Sequence, residues 1–463
     1  MMKFINRKEE LTFLEKKYKS KNAELIILYG RRRIGKTELL SKFCEDKRAM
    51  YFLGRLESRE DTIKRFNNLF IEAFKDNKLL SNPLQNFDNI FDYLPERSTK
   101  RATLIIDEFP FIIERFPEMI SILQDKWDSK LKNSQIMIIL CGSSISMMEK
   151  YAINYQSPLY GRRTGQWKLE KLRVFYLLDF FPNYSPKEII ELYSCLDSIP
   201  GYLVKFSKDK SLEKNIKEKV LSKGEFLYEE IEVLLREEFR DPSNYMSILS
   251  VVSGGLTTFN DIHNRTHLDK SLLSKYLYVL ENLGIVEKKI PITESYKSKL
   301  KSKGAIYSVK DNFFSFWFRF VYLKKQELEK GNLAVFDRKE FNDYVSLKFE
   351  KFIMELIPYL NIIKSGHFGS WWHKDKEIDV VGLNEHKEIL FAECKWQDKV
   401  DAEKVLVELK EKSRYVDWNN EKRKEKYAVF AKSFSKKVRQ KDVYLFDLKD
   451  IEKALKKLSI QKA

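Results

Sequence analysis

The apolar run ELIILYG (24–30) passes straight through RRRIGKT into the helix-forming ELLSKF, and this constrains the fold around it more than any other feature. The spacing is GxxxxGK[ST], with Gly30, Gly35, Lys36 and Thr37 in the defining places, directly after a strand and before a helix. Glycines there let backbone N–H groups wrap an anion at a helix N-terminus. Lys36 would reach the β- and γ-phosphates, and the Thr37 hydroxyl would hold Mg2+. Gly30, Arg31, Arg32, Arg33, Ile34, Gly35, Lys36, Thr37 and Glu38 are therefore expected to line a nucleotide, with ATP and Mg2+ as the cofactors.

Two further apolar runs complete this expectation. ATLIIDEF places Asp107 at the end of a buried strand, where it can hold the Mg2+ water shell, and Glu108 beside it, where it can orient an attacking water. QIMIILCGSSISMM ends a third strand at Ser143 and Ser144, so Ser143 is a candidate sensor of the γ-phosphate; the competing reading is an ordinary serine-rich turn. In SPLYGRRTG, Arg162 or Arg163 could stabilise charge on the transferred phosphoryl group, against the alternative of a solvated basic loop. Strands that alternate with helical segments such as MISILQDKWDSKL imply βαβ units and a mostly parallel sheet buried on both faces.

FINRKEEL, YGRRRIGKT, IIDEFPF, CGSSISMM, YGRRTG and IPGYL follow one another in the order and spacing of the archaeal-type ATPases, and the region from Phe4 to about Arg240 resembles that group. The group belongs to the STAND branch of the AAA-like P-loop NTPases. The resemblance implies ATP binding and slow hydrolysis coupled to a conformational switch, with Lys36, Thr37, Asp107 and Glu108 in the nucleotide-handling positions. SIPGYL departs from the group's pattern, since no glycine precedes Pro200.

The rest of the chain divides by composition. We expect a P-loop core over 1–180, a helical subdomain over 181–240, a winged helix-turn-helix over 241–312 and a second small α/β domain over 313–463. The winged helix rests on three helical segments followed by the strand-like GIVEKKIPI. Its third helix, DKSLLSKYLYVLENLG, would present Lys270, Ser271, Ser274 and Lys275 to a major groove. The competing reading makes this module a packing spacer.

In EIDVVGLNEHKEILFAECKW (377–396), two apolar runs carry carboxylates inward. Paired as antiparallel strands about a turn near His386, they set Asp379 opposite Glu393, and Glu393 and Lys395 share a face. Two buried carboxylates side by side repel one another unless a cation lies between them. Mg2+, which takes oxygen ligands and keeps several waters, would resolve that conflict on Asp379 and Glu393, with Lys395 steadying developing charge as in phosphodiester hydrolysis. The alternative is a Glu–Lys pair on an exposed sheet face. The pattern D-x13-E-x-K, following the helix DYVSLKFEKFIMELIPYL, resembles the PD-(D/E)xK nuclease superfamily, in the nuclease-like form found C-terminal to archaeal-type ATPases. The resemblance covers about Phe313 to Ala463 and implies a restriction-endonuclease-like fold. Asp379, Glu393 and Lys395 would occupy the catalytic positions, and Glu350 matches the upstream acidic residue.

A net charge of +17 suits a polyanionic partner such as nucleic acid, DNA foremost, although a lysine-rich genome would also produce it. Cys44, Cys141, Cys195 and Cys394 have no metal-ligand spacing and fit reduced thiols of a cytoplasmic protein. No run is long enough to span a bilayer, so no membrane partner is expected. The joint expectation is an ATP-driven switch that acts on DNA and controls a Mg2+-dependent nuclease-like domain. The alternatives are a regulatory DNA-binding ATPase whose nuclease fold does not cut, and a signalling scaffold for a protein partner. A homo-oligomer, in which Arg162 or Arg163 serves a neighbouring subunit, stays open.

Overall fold

The computed structural model describes residues 4–20, 22–98, 100–294 and 305–462, and the chain separates into two compact units, Met1–Lys171 and Leu172–Ala463. Part of the hairpin expected before Val309 (295–304) lies outside the described residues.

The first unit runs α1 (Lys8–Tyr18), β1 (Glu24–Tyr29), α2 (Lys36–Cys44), β2 (Ala49–Leu53), β3 (Ala102–Asp107), α3 (Glu118–Ser129), β4 (Ile136–Gly142) and β5 (Gly165–Lys168), with further helices between β2 and β3. Its strands form one sheet in the order β2-β3-β4-β1-β5, and every neighbouring pair is parallel. Every residue of β1, β3 and β4 is buried, which is why these stretches read as unbroken apolar runs. Successive side chains serve opposite faces. Leu25, Ile27, Leu104 and Ile138 pack with Phe66, Phe70 and Phe91, whereas Ile26, Leu28, Ile105 and Ile139 pack with Leu14, Leu39, Leu40 and Phe43. Parallel pairing brings the ends of β1, β3 and β4 to one edge of the sheet, so the loop after β1, Asp107 and Ser143 share that edge. The result is a P-loop ATPase fold.

The second unit holds α4 (Pro186–Leu196), α5 (Ser243–Ser253), α6 (Phe259–Thr266), α7 (Lys270–Asn282), the antiparallel strands β6 (Val286–Lys289) and β7 (Ile306–Val309), α8 (Asn312–Phe320) and α9 (Arg338–Leu356). A mixed sheet follows, built from β8 (His367–His373), β9 (Lys376–Leu383), β10 (Glu388–Lys395), β11 (Lys424–Ala431) and β12 (Val443–Phe446), in the order β12-β11-β10-β9-β8. Helix α10 (Ala402–Ser413) packs on this sheet, and α11 (Leu448–Lys462) packs against Val174–Tyr176 and α4.

Helices α5 to α7 with β6 and β7 make the winged helix-turn-helix. In α7 the buried Leu273, Leu277 and Leu280 recur at helical spacing, which leaves Ser271, Leu272, Ser274, Lys275 and Tyr278 exposed on the other side. Asp311 caps α8 by accepting from the N–H groups of Phe313 (2.6 Å) and Phe314 (3.1 Å), a contribution of about 1 kcal/mol. Among the described residues no helix is long and apolar enough to cross a membrane, and all four cysteines are free thiols.

Candidate functional sites

The loop between β1 and α2 needs both of its glycines. A side chain on Gly30 would collide with the Leu169 carbonyl oxygen, and Gly35 enters α2 at φ +91°, in the left-handed region. Within the loop, the Lys36 ammonium donates to the carbonyls of Gly30 (2.9 Å) and Arg31 (3.0 Å). Burial holds this ammonium below its usual range, against the opposing pull of Cys141, Glu108 and Asp107. Thr37 Oγ1 donates to Asp107 Oδ2 at 3.0 Å, so the two groups expected to serve Mg2+ already touch. Asp107 Oδ1 accepts from the Glu108 N–H at 2.9 Å. Glu108 stands at φ +49°, and both of its carboxylate oxygens lie within hydrogen-bond reach of Ser143 Oγ, at 2.9 and 2.7 Å. Hydroxyl and carboxylate oxygens of this kind fit a hard cation.

The remaining residues named from the sequence have partners of their own or lie along the loop. Arg162 donates to Asp128 of α3 (2.6 and 2.9 Å) and to the Pro158 carbonyl (2.8 Å). Arg163 donates to the Ile153 carbonyl and stacks on the Tyr160 ring at 5.0 Å. Arg31, Arg32, Arg33, Ile34 and Glu38 lie in or directly after the loop, with Ile34 buried beneath it.

Two side chains of this site escaped the reading of the sequence. Tyr51 of β2 donates its hydroxyl to Asp107 Oδ2, the same oxygen that Thr37 uses. Arg7 is buried at φ +75° and donates to the Ile34 carbonyl at 2.7 Å, which pins the loop from below. The only signal for Arg7 was its place in the FINRKEEL segment.

The second site lies on β9 and β10. The ladder pairs Phe391 with Val381 and Ala392 with Val380, so Glu393 and Asp379 come next in the same antiparallel register. Both strands are buried over most of their length, unlike a solvated sheet face. Glu393 Oε1 accepts from Lys395 (2.8 Å) and from Lys412 of α10 (3.0 Å), while Oε2 is buried without a hydrogen-bond partner. Asp379 Oδ2 accepts from the Cys394 N–H at 2.7 Å. Burial, and then the Glu393 charge, pushes the Asp379 carboxyl above the usual range; burial, and then the Asp379 charge, does the same to Glu350 on α9. Burial would lower the Lys395 ammonium, but the hydrogen bond and charge of Glu393 leave it raised.

Among the described residues, no three His, Cys, Asp or Glu side chains gather closely enough to hold a metal ion unaided. A cation here would therefore rest on Asp379 and on the orphaned Oε2 of Glu393, with water and phosphate completing its shell. That donor set fits Mg2+. The winged helix abuts this domain: the Ile292 N–H donates to the Ser370 carbonyl of β8 at 3.0 Å, and Lys289 of β6 is one of the charges acting on Glu350.

Comparison with known proteins agrees with this architecture. A family described as an ATPase domain predominantly from Archaea matches residues 4–206. The bacterial regulatory protein, arsR family, matches 246–288, and a family of archaeal and bacterial proteins of unknown function matches 317–405. An uncharacterized protein of Methanocaldococcus jannaschii is 36% identical over 458 residues, covering 96% of this chain and 99% of its own. An uncharacterized ATP-binding protein of the same organism is 64% identical over 45 residues, 10% of this chain and 76% of its own. Among solved structures, a Walker-type ATPase of Pyrococcus abyssi shares the fold with a TM-score of 0.52 at 22% identity, covering 68% of this chain and 96% of that one.

Proposed function

The chain belongs to the same family as the full-length Methanocaldococcus jannaschii relative, and we propose that it is an ATP-binding and ATP-hydrolysing switch that acts on DNA through its winged helix and C-terminal α/β domain. In this reading Lys36 and the loop from Gly30 to Thr37 hold the nucleotide phosphates, and Thr37 and Asp107 serve Mg2+. Glu108 orients the attacking water, and Ser143 meets the γ-phosphate. The exposed face of α7 enters a major groove, where Lys270, Ser271, Ser274 and Lys275 meet phosphates or base edges.

The C-terminal domain is, in the same reading, a nuclease-like domain of the restriction-endonuclease type that the ATPase governs. The observation that carries it is Glu393, whose buried Oε2 has no hydrogen-bond partner, beside Lys395 and with its charge acting on Asp379, one step beyond the Ala392–Val380 pair. A divalent cation bound there supplies Lewis-acid activation of water and of a phosphodiester. Asp379 and Glu393 would hold it, Lys395 would steady the developing charge, and Glu350 of α9 would add negative charge nearby without ligating the ion.

A second reading is favoured by one feature. Glu393 Oε1 is already neutralised by two lysines, and carboxyls pushed upward can stay protonated without a metal, so the fold can persist as a non-cleaving grip on a DNA backbone. Incubation of plasmid and linear DNA with Mg2+ or Mn2+, with and without ATP, separates the two readings. Cutting that is lost in Asp379→Ala supports the nuclease, and its response to Lys36→Ala reports control by ATP. Intact ATP hydrolysis with no cutting under any condition favours the regulatory ATPase. Absence of salt-dependent DNA binding would remove both.

A further inference from the structure

We propose that Lys412 is a phosphate-binding residue of the carboxylate site, receiving the nucleic-acid phosphodiester beside the metal; this rests on the metal-dependent reading of Asp379 and Glu393 given above. The starting point is an imbalance. One ammonium neutralises one carboxylate, and Lys395, on the same strand, already does so for Glu393 at 2.8 Å. Lys412 arrives from a different element, α10, and contacts the same oxygen, Oε1, at 3.0 Å. Among the described residues the polar contact of its ammonium is Glu393 alone.

Charge counting shows what the second lysine answers to. Glu350, Asp379 and Glu393 face Lys395 and Lys412, which leaves one negative charge when all are ionised, and Glu377 and Lys289 add one charge of each sign at the rim. A divalent cation turns that balance into one positive charge, the sign a phosphodiester requires. Without Lys412 the metal-loaded site would be neutral.

Exposure points the same way. The Glu393 side chain is 6% exposed and its free Oε2 lies inside, whereas Lys412 is 27% exposed and Lys395 32%, so both ammonium groups reach solvent while the carboxylate does not. A cation held on Oε2 and Asp379 leaves Oε1 to the lysines; Lys395 is tied to the same strand as Glu393, whereas Lys412 comes from α10 and is the ammonium free to turn from Oε1 to an arriving anion. A lysine ammonium is a compact point charge with rotatable donors, suited to transfer from a carboxylate oxygen to a phosphate oxygen without moving its helix.

The test uses the full chain, with Ca2+ as a non-cleaving probe and a short fluorescent duplex. In Lys412→Met, Ca2+ affinity by calorimetry should be unchanged or tighter, because a competing positive charge has gone. The gain in duplex affinity that Ca2+ confers should fall about tenfold, the scale of one charge-assisted contact. Lys412→Arg should restore most of that gain, and Lys404→Met, an exposed lysine of the same helix, should leave it at the wild-type level. Wild-type duplex affinity in Lys412→Met with Ca2+ present would overturn the proposal, as would parallel losses of Ca2+ and duplex binding, which mark a merely structural role. Asp379→Ala tests the premise separately: if it binds Ca2+ as the wild type does, the metal-dependent reading fails first and takes this inference with it.

Discussion

Ser143 Oγ stands 2.7 and 2.9 Å from the two carboxylate oxygens of Glu108, so the residue expected to meet a γ-phosphate holds the residue expected to orient the attacking water. A serine hydroxyl has one proton to donate. In the proposed reading a γ-phosphate oxygen that accepted this hydrogen bond would release Glu108, and ADP, lacking that phosphate, would not. Ser143→Ala should therefore reduce the preference for ATP over ADP and lower kcat about tenfold. Glu108→Gln should retain ATP binding and lower kcat by about a hundredfold. Nucleotide titrations and steady-state hydrolysis check both, and an unchanged ATP-to-ADP preference in Ser143→Ala would count against the sensor role.

Tyr51 tests a different part of the same site. Its hydroxyl and that of Thr37 converge on one oxygen of Asp107. Burial, and then the hydrogen bond to Asp107, holds the phenol well above its ordinary range, so it is a donor at neutral pH. In the proposed reading Thr37 would keep its proton on Asp107 while its oxygen faced Mg2+, and Tyr51 would hold the carboxylate in that orientation. Tyr51→Phe should raise the Mg2+ concentration for half-maximal ATP hydrolysis about threefold to tenfold, with kcat at saturating Mg2+ within about twofold. A Mg2+ titration at fixed ATP distinguishes this from a general loss of activity.

These two relationships differ in how far the sequence discloses them. The strand-loop-helix around Gly30 to Thr37 is contiguous, so local spacing alone carries it, and β3 and β4 are recognisable as buried runs. The register of β9 against β10 was legible for a similar reason: a short turn near His386 leaves one pairing that buries both apolar strands, and it brings Asp379 toward Glu393. Tyr51 and Lys412 depend on non-local packing. Tyr51 reaches Asp107 because β2 lies beside β3, and Lys412 reaches Glu393 because α10 crosses β10. Nothing distinguishes Tyr51 locally among 23 tyrosines, or Lys412 in so lysine-rich a chain. The union of Ile292 with Ser370 joins segments assigned to separate domains, and no local pattern anticipates it.

Asp379→Asn should stabilise the metal-free protein. Burial and Glu393 push the Asp379 carboxyl upward in the folded state, so between its unfolded and folded values the folded chain binds more protons than the unfolded one. Stability from this group then falls as pH rises, and the loss is complete above the folded value. Asparagine removes the ionisation while its carbonyl can still accept from the Cys394 N–H. The expected gain is about 1 kcal/mol at pH 8 and close to nothing at pH 4, with divalent-metal binding abolished. Denaturant unfolding at the two pH values, with calorimetry for the metal, checks this; a destabilised Asp379→Asn at pH 8 would mean the site relieves its own repulsion.

Lys348 on α9 titrates in a different window and with the opposite sign. Burial, and then the charges of Lys351 and Lys289, bring its ammonium down to about 7, while its side chain lies over the Tyr344 ring at 5.3 Å. Below pH 7 both folded and unfolded chains hold the proton, and the folded chain bears the cost of a buried ammonium. Between pH 7 and the unfolded lysine value, the folded chain releases the proton first, so stability rises with pH. Wild-type protein should therefore be more stable at pH 9 than at pH 7. Lys348→Met should flatten this slope and stabilise the protein by about 1 to 2 kcal/mol at pH 7, since methionine keeps the packing and removes the charge. Urea unfolding of both proteins across that interval is the measurement. An unchanged slope in Lys348→Met would show that the ammonium is solvated in the folded chain and that its neighbours Lys351 and Lys289 cost it nothing.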